Sequence, residues 1–362
     1  MNHSTSVRVG VIGCGSIARA VHLPTLVSMS GVTVCSVADP DAGALAEAQR
    51  IASGARGFRT SQELIEAGGV DAVVLAMPSS MHAPTAISAF AAGYHVYVEK
   101  PAATTAGDAG ALLHSWQHAR RLGIVGFNYR QHPLAMQARR LIREGAIGEI
   151  VAVQTNFSSR PVAVPAWKQL SGGGALFDRG AHHVDIAAWL LGSYPESVTA
   201  RVLSRRTADD TATMECLFPG AVTMQSSFSF DATPDDRVTV IGQRGRLSFD
   251  RLAGLSVELS HDVAARGAMR RTGAVVASLL REPFARSRFV RPDAEPSFRS
   301  ALRMFVEAVR AWPTPSSTLP MLPTLTDGVR SLAVLLAASE AAERGTRVAV
   351  RDMVLCAGNV HA

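Results

Sequence analysis

Three stretches of this chain carry residue types at spacings that suit chemistry. The first is Glu99-Lys100-Pro101, which follows the apolar run Val96-Tyr97-Val98. Such a run reads as a buried parallel strand. The ligand crevice of an open α/β sheet lies beyond the carboxyl ends of its strands, so Lys100 is placed to reach a bound cofactor and substrate together. A lysine solvating a strand end before a proline stop is the plainer reading of the same residues. The second stretch runs Gly172-Gly173-Gly174-Ala175-Leu176-Phe177-Asp178-Arg179-Gly180-Ala181-His182-His183-Val184-Asp185. With a helix starting near Gly174, Asp178 and His182 stand one turn apart on a shared face, and Asp185 follows on the next turn. A carboxylate beside an imidazole orients a general base and raises its proton affinity. The competing reading is a capped helix with surface polar residues; His183 points elsewhere on the helix.

The third stretch is Gly13-Cys14-Gly15-Ser16-Ile17-Ala18, directly after a strand-like segment at 7–12 and before a helical pattern reaching about Met29. Gly13 permits the tight turn, Gly15 lets the backbone approach a pyrophosphate, and Ala18 allows close helix packing, while the N–H groups of Ser16 and Ile17 open the helix toward the phosphates. A second strand, 33–38, ends in Asp39, where a carboxylate can accept from ribose hydroxyls. The chain continues Pro40-Asp41 with no arginine or lysine beside it to meet a 2′-phosphate, which predicts NAD in preference to NADP. A turn-forming or capping Asp39 is the alternative.

These groups need a scaffold, and the intervening pattern supplies one. Helices are expected at 41–52, at 62–67 behind a Ser61 cap, at 84–92 and at 106–121. Strands are expected at 72–76, ending at Met77-Pro78, then in the run before Lys100, and at 124–127. This βαβ alternation predicts a parallel, doubly wound sheet with right-handed crossovers over 1–127. The grammar then changes. A helix at 133–144, a long strand at 149–157, the triple-glycine helix to about Leu191, and strands at 197–203, 212–218, 222–230, 237–241 and 246–249 predict an α+β domain over 128–362. Alternation along Ala212, Met214, Cys216 and Phe218, and along Val222, Met224, Phe228 and Phe230 after Pro219-Gly220, marks an antiparallel hairpin with one apolar face. A mainly antiparallel, open or mixed sheet with helices on one side follows, its outer face either a subunit contact or solvated. Helices at 298–311 and 325–344 flank a proline-rich loop.

The chain has 362 residues, 47% of them hydrophobic, enough for a large core and for two domains. Of its net charge of +6, seven arginines against the single acid Glu282 fall between 263 and 292. The remainder is close to neutral, which argues against a nucleic-acid-coated surface and makes 262–296 an arginine-rich insertion. Cys14, Cys35, Cys216 and Cys356 form no C-x-x-C pair, so neither a disulfide framework nor a metal site is expected. No apolar run suggests a membrane span or a signal peptide, and a reduced, cytoplasmic setting is the expectation.

The glycine turn with His22 after it, Glu99-Lys100-Pro101, Gly126-Phe127-Asn128-Tyr129-Arg130, Gly145-Ala146-Ile147-Gly148-Glu149, and the triple-glycine helix with Asp178 and His182 together resemble the Gfo/Idh/MocA oxidoreductases. The resemblance covers about residues 6–250 and the carboxyl-terminal helices. It implies a Rossmann domain holding a nicotinamide dinucleotide, a sugar, cyclitol or related polyol as substrate, and a homodimer or homotetramer. By the same resemblance, Lys100 contacts the reacting hydroxyl, Asp178 and His182 complete the catalytic set, and the Lys100–Pro101 bond is cis. Cofactor contacts are expected from Gly13, Gly15, Ser16, Ile17, Asp39, Pro78, His82, Glu99 and Lys100, and substrate contacts from Lys100, Arg130, Arg160, Trp167, Asp178, Arg179 and His182. The expected activity is NAD(P)-dependent hydride transfer to or from a secondary hydroxyl or ketone; the alternative is a dinucleotide-binding sensor or regulator without catalysis. Arg179 departs from the usual pattern. Its fork suits an anionic substrate if it faces the crevice, and an ion pair with Glu149 or Glu215 if it does not.

Overall fold

The computed structural model describes residues 6–160, 173–260, 295–314 and 321–351, with the single positions 284 and 287. In chain order its first elements are β1 (Val7–Ile12), a π-helical turn (Ala18–His22), α1 (Leu23–Val27), β2 (Val32–Ala38), α2 (Ala42–Ile51), β3 (Arg56–Phe58), α3 (Ser61–Ala67), β4 (Ala72–Leu75), α4 (His82–Ala91), β5 (His95–Val98), α5 (Ala106–Ala119) and β6 (Gly123–Val125). Then come α6 (Pro133–Arg143), β7 (Ile150–Ser158), α7 (Gly174–Leu191), β8 (Ser197–Leu203), β9 (Thr211–Phe218), β10 (Val222–Ser229), β11 (Asp235–Gly242), β12 (Gly245–Asp250), β13 (Glu258–Ser260), α8 (Ser297–Ala311), α9 (Leu325–Arg344) and β14 (Val348–Ala349). Residues up to Asn128 with Phe298–Leu332 form one unit, and Tyr129–Ser297 with Ala333–Arg351 the other.

The first unit is built on a six-stranded parallel sheet in the order β3-β2-β1-β4-β5-β6. Its central strands are buried on both faces, as β-branched runs without polar alternation require, and all four residues of β4 and of β5 are buried. Side-chain caps start the helices: Asp41 accepts from Ala44 N–H ahead of α2, Thr60 and Glu63 form a reciprocal capping box on α3, and Thr105 accepts from Asp108 N–H on α5. One face of the sheet packs Val9, Val11, Val74, Tyr97 and Ile124 against α1, α2 and α8. Helix α8 qualifies because Ala301, Leu302, Phe305, Val306, Ala308 and Val309 form one apolar stripe, with Phe305 5.6 Å from the Tyr97 ring. That stripe is why Phe298–Leu332 is counted with the first unit, where the sequence assigned it to the second. The short strand β3 was also missed, its three residues carrying no apolar alternation.

The second unit is an eight-stranded sheet in the order β13-β12-β11-β7-β10-β9-β8-β14. Only the β7–β10 pairing is parallel, so the sheet is mixed and mainly antiparallel as expected. Alternation sends Ala212, Met214, Cys216 and Phe218 of β9, Met224 and Phe228 of β10, and Val238 and Val240 of β11 to the buried face. Helix α7 packs on β7, β9 and β10. Its entry is fixed by Gly173 and Gly174 at φ 68° and 60°, and a Cβ on Gly174 would lie 2.4 Å from the Asp209 carbonyl oxygen. That same carbonyl accepts from Ala175 N–H at 2.8 Å, satisfying a donor in the first turn. The arginine-rich segment falls almost wholly outside the described residues. No helix among those described is long and apolar enough to cross a membrane.

Replacing Phe305, which is fully buried, by alanine should cost about 3–5 kcal/mol, the range for deleting a core aromatic. Urea unfolding of Phe305→Ala checks this. A loss below about 1 kcal/mol would mean that α8 is not a structural part of the parallel-sheet unit.

Candidate active site

In the first unit the expected cofactor residues lie at the carboxyl ends of adjacent strands, β2, β1, β4 and β5. Gly13 follows β1 at φ 89°, and a Cβ there would approach the Ala76 and Met77 backbone to 2.6 Å, so only glycine fits. The turn is held from below: Gly13 N–H donates to Ala38 O at 2.9 Å and Cys14 N–H to Asp39 Oδ2 at 2.7 Å. Asp39 Oδ1 accepts from Asp41 N–H at 2.8 Å. Each carboxylate oxygen keeps a second lone pair. Gly15 and Ser16 are exposed, and no atom stands within 4 Å of the place a Gly15 side chain would take. An exposed glycine backbone at a helix start with a carboxylate beside it fits a dinucleotide. Cys14 is buried, and burial pushes its thiol up to about 12, so it is inert. The sequence reading saw no basic residue near Asp39. Strand β3 corrects this, bringing the Arg59 guanidinium to the Pro40 carbonyl.

At the end of β4, Pro78 is exposed and His82 is buried. The His82 ring lies between Pro101 O, 2.7 Å from Nδ1, and Met77 O, 2.9 Å from Nε2. Burial lowers its pKa, so the neutral ring donates to one carbonyl at a time. Its function here is to tie the ends of β4 and β5 together. The Lys100–Pro101 bond is cis, as the resemblance implied. Glu99 Oε1 lies 2.9 Å from His22 Nε2, out of line for a good hydrogen bond, and Oε2 accepts from Lys100 N–H at 3.3 Å. Burial pushes the Glu99 pKa up, but His22, then Lys100 and His82, outweigh it, and the carboxyl is held ionised.

In the second unit α7 carries Asp178 and His182 on successive turns. The His182 ring, 8% exposed, stacks on Tyr129 with centroids 4.1 Å apart and planes 7° from parallel. Tyr129 O–H donates to Asp236 Oδ2 at 2.9 Å. The same oxygen accepts from Arg251 Nε and Nη2 at 2.9 and 2.7 Å, while His183 Nε2 lies 3.3 Å from Asp236 Oδ1. Arg251 also reaches Glu295 and lies 4.0 Å from the Tyr129 ring centre. Burial alone would raise the Asp236 pKa; Arg251, then His183, bring it down to about 2. Sequence reasoning missed this cluster, although Asp236 betrays itself as a charge two residues before the inward Val238 of a strand.

Arg130, expected at the substrate, is buried and gives Nε and Nη2 to Asp185 at 2.8 and 2.5 Å. That pair fastens α7 to the segment before α6. Arg179 makes neither expected ion pair: Glu149 accepts from Gln243 Nε2, and Glu215 lies 3.9 Å from Arg347. It donates from Nη2 to Ser159 Oγ at 2.7 Å, with its guanidinium carbon 4.0 Å from the Phe157 ring centre and 4.9 Å from that of Phe230. Aromatic faces hold the cation in place of a carboxylate, and burial lowers its pKa. Arg160 is exposed beyond β7, and Trp167 lies outside the described residues. No cluster of three or more His, Cys, Asp or Glu suited to a metal occurs among the described residues.

Residues 7–139 match a family model described as an oxidoreductase family with an NAD-binding Rossmann fold, and residues 135–248 match the GFO/IDH/MocA C-terminal domain. Inositol 2-dehydrogenase of Rhizobium meliloti is 31% identical over 70% of this chain and 79% of its own length. Inositol 2-dehydrogenase 2 of Saccharopolyspora erythraea is 34% identical over 55% of this chain, which spans 58% of that relative's length. The WlbA dehydrogenase of Bordetella pertussis, crystallised with NADH and UDP-GlcNAcA, superposes with TM-score 0.80 over 96% of this chain and 98% of its own, at 24% identity.

Asp236 titrates below its ordinary value, so its stabilising effect is complete above about pH 4 and fades as pH falls toward 2. Asp236→Asn should cost about 3–5 kcal/mol at neutral pH, because Arg251 is left buried without its main partner. Melting curves of both proteins across pH should show the gap narrowing in acid; a gap constant down to pH 2 would contradict an ionised Asp236.

Proposed function

The chain belongs to the Gfo/Idh/MocA oxidoreductase family, and on that premise we propose that it is an NAD-dependent dehydrogenase or reductase. It moves a hydride between the nicotinamide and a secondary hydroxyl or ketone of a sugar, cyclitol or sugar derivative. The reading is carried by the convergence of the Gly13 turn, Asp39, His82 and Glu99-Lys100 at the carboxyl ends of four neighbouring strands. The nicotinamide supplies the hydride chemistry when bound.

Everything else falls to side chains of this chain. The backbone at Gly13, Gly15, Ser16 and Ile17 holds the pyrophosphate, and Asp39 accepts from the ribose hydroxyls with the lone pairs left over from Cys14 and Asp41. His182 takes the hydroxyl proton in the oxidative direction, with Asp178 orienting it. The Lys100 ammonium stabilises the negative charge that develops on that oxygen, an effect of about 3–4 kcal/mol per donor in comparable sites. The substrate shell includes Arg160 and Trp167. The protein works in the cytoplasm as a homodimer or homotetramer, a setting consistent with Cys14, Cys35 and Cys216 being free thiols.

Incubating the protein with NAD and a panel of polyols, and following absorbance of the reduced cofactor, tests the activity. Lys100→Met and His182→Asn should each lower turnover by about 10² to 10⁴ while NAD affinity is unchanged. Retention of more than about a tenth of wild-type activity in either would give the proton transfer to another group. Asp39→Ala should weaken NAD binding and raise affinity for NADP, since removing the carboxylate leaves Arg59 to meet a 2′-phosphate. A wild type that favours NADP by about tenfold, roughly 1.4 kcal/mol the wrong way, would contradict the assignment of Asp39.

A further inference from the structure

A charged cluster stands directly behind the His182 ring, and the chemistry above gives it no task. Tyr129 has two groups against its ring, the His182 imidazole at 4.1 Å and the Arg251 guanidinium at 4.0 Å. Two groups of that size, each about one ring thickness from the same centre, cannot share a face. Tyr129 is therefore sandwiched. Its hydroxyl is fixed twice over, donating to Asp236 at 2.9 Å and accepting from Arg251 Nη2 at 2.8 Å. Asp236 and Arg251 are in turn held by His183 Nε2 and by Glu295, which also accepts from Ser297 N–H at 2.9 Å. Tyr129 can neither flip away nor slide without breaking both of its hydroxyl bonds to the buried Asp236–Arg251 pair.

We propose that Tyr129 is a positioning residue for His182: its clamped ring fixes the plane of the imidazole, with Asp236 and Arg251 as the clamp. The inference rests on the role given to His182. A face-on stack suits the task because it touches neither ring nitrogen, so it sets orientation without occupying the atoms that exchange the proton. A hydrogen bond to the other ring nitrogen sets the tautomer, and the stack adds the plane of the ring. Burial holds the phenol neutral, its pKa raised well above the ordinary tyrosine value, so the clamp keeps one charge state through the working range.

Tyr129→Leu removes the stack, and Tyr129→Phe keeps it while giving up the hydroxyl. In Tyr129→Leu, kcat should fall by about tenfold to a hundredfold, the scale of an ångström-sized misplacement of a catalytic group. NAD affinity of the folded protein should stay near wild type while its melting temperature falls, as for any truncated core aromatic, and Tyr129→Phe should recover most of the rate. The His182 Hε1 proton resonance should show the upfield ring-current displacement of a stacked imidazole in wild type and Tyr129→Phe, and lose it in Tyr129→Leu. On a His182→Asn background Tyr129→Leu should cost nothing further, since both changes act through one group. Should Tyr129→Leu not fold, Tyr129→Met fills the same space with a flexible chain and takes its place. A leucine or methionine variant with wild-type kcat, beside an inactive His182→Asn, overturns the inference alone. An active His182→Asn overturns the role of His182, and this inference with it.

Discussion

The Asp236 carboxylate is 1% exposed on the inner face of a β-sheet, where an unpaired charge is not tolerated. The second unit answers with donors from three parts of the chain: Tyr129 before α6, His183 in α7, and Arg251 after β12, itself tied to Glu295 ahead of α8. Replacing such a cluster by apolar residues would cost little stability, so its presence is better understood as a demand for one arrangement over others. Each donor can reach Asp236 from one place only. Once all are engaged, the register of β11 against β7, the depth of α7 and the path into α6 are settled together. The Arg130–Asp185 pair repeats the device two residues further along α7.

The first unit reaches a comparable rigidity by main-chain means. Its strands end in loops that lack the sheet's own hydrogen bonds, and side chains supply the missing partners: Asp39 takes two N–H groups, and His82 lies against two carbonyls. The residues that the sequence nominates for the cofactor at this end of the sheet are thus also its fastenings.

Much of this was legible in the sequence because it is local. The glycine turn, the buried run before Lys100, the inward set of β9 and the one-turn spacing of Asp178 and His182 each lie within a few residues of chain, where periodicity and turn chemistry speak directly. What was not legible joins distant positions. Tyr129 meets Asp236 across 107 residues and Arg251 across 122, and neither spacing leaves a local trace. The expected strand began at Arg237, which put Asp236 in a loop and hid a charge on a core-facing position. Arg130 and Arg179 look like ligand-seeking cations in sequence; only packing reveals that one has Asp185 and the other two phenylalanine faces. Strand β3 was too short and too polar to signal itself, and with it Arg59 escaped notice.

The position of α8 also bears on how the protein is born. A ribosome finishes β6 at Val125 and must add roughly 170 further residues before it reaches Phe298 (298 minus 125). At about 5–20 residues per second this interval lasts on the order of ten to thirty seconds. Throughout it, the face of the nascent parallel sheet destined for Leu302, Phe305 and Val306 has no helix of its own to close it. The first half of the polypeptide therefore waits on the last, and a chain stalled before α8 displays a greasy surface of the kind that holdase chaperones grip.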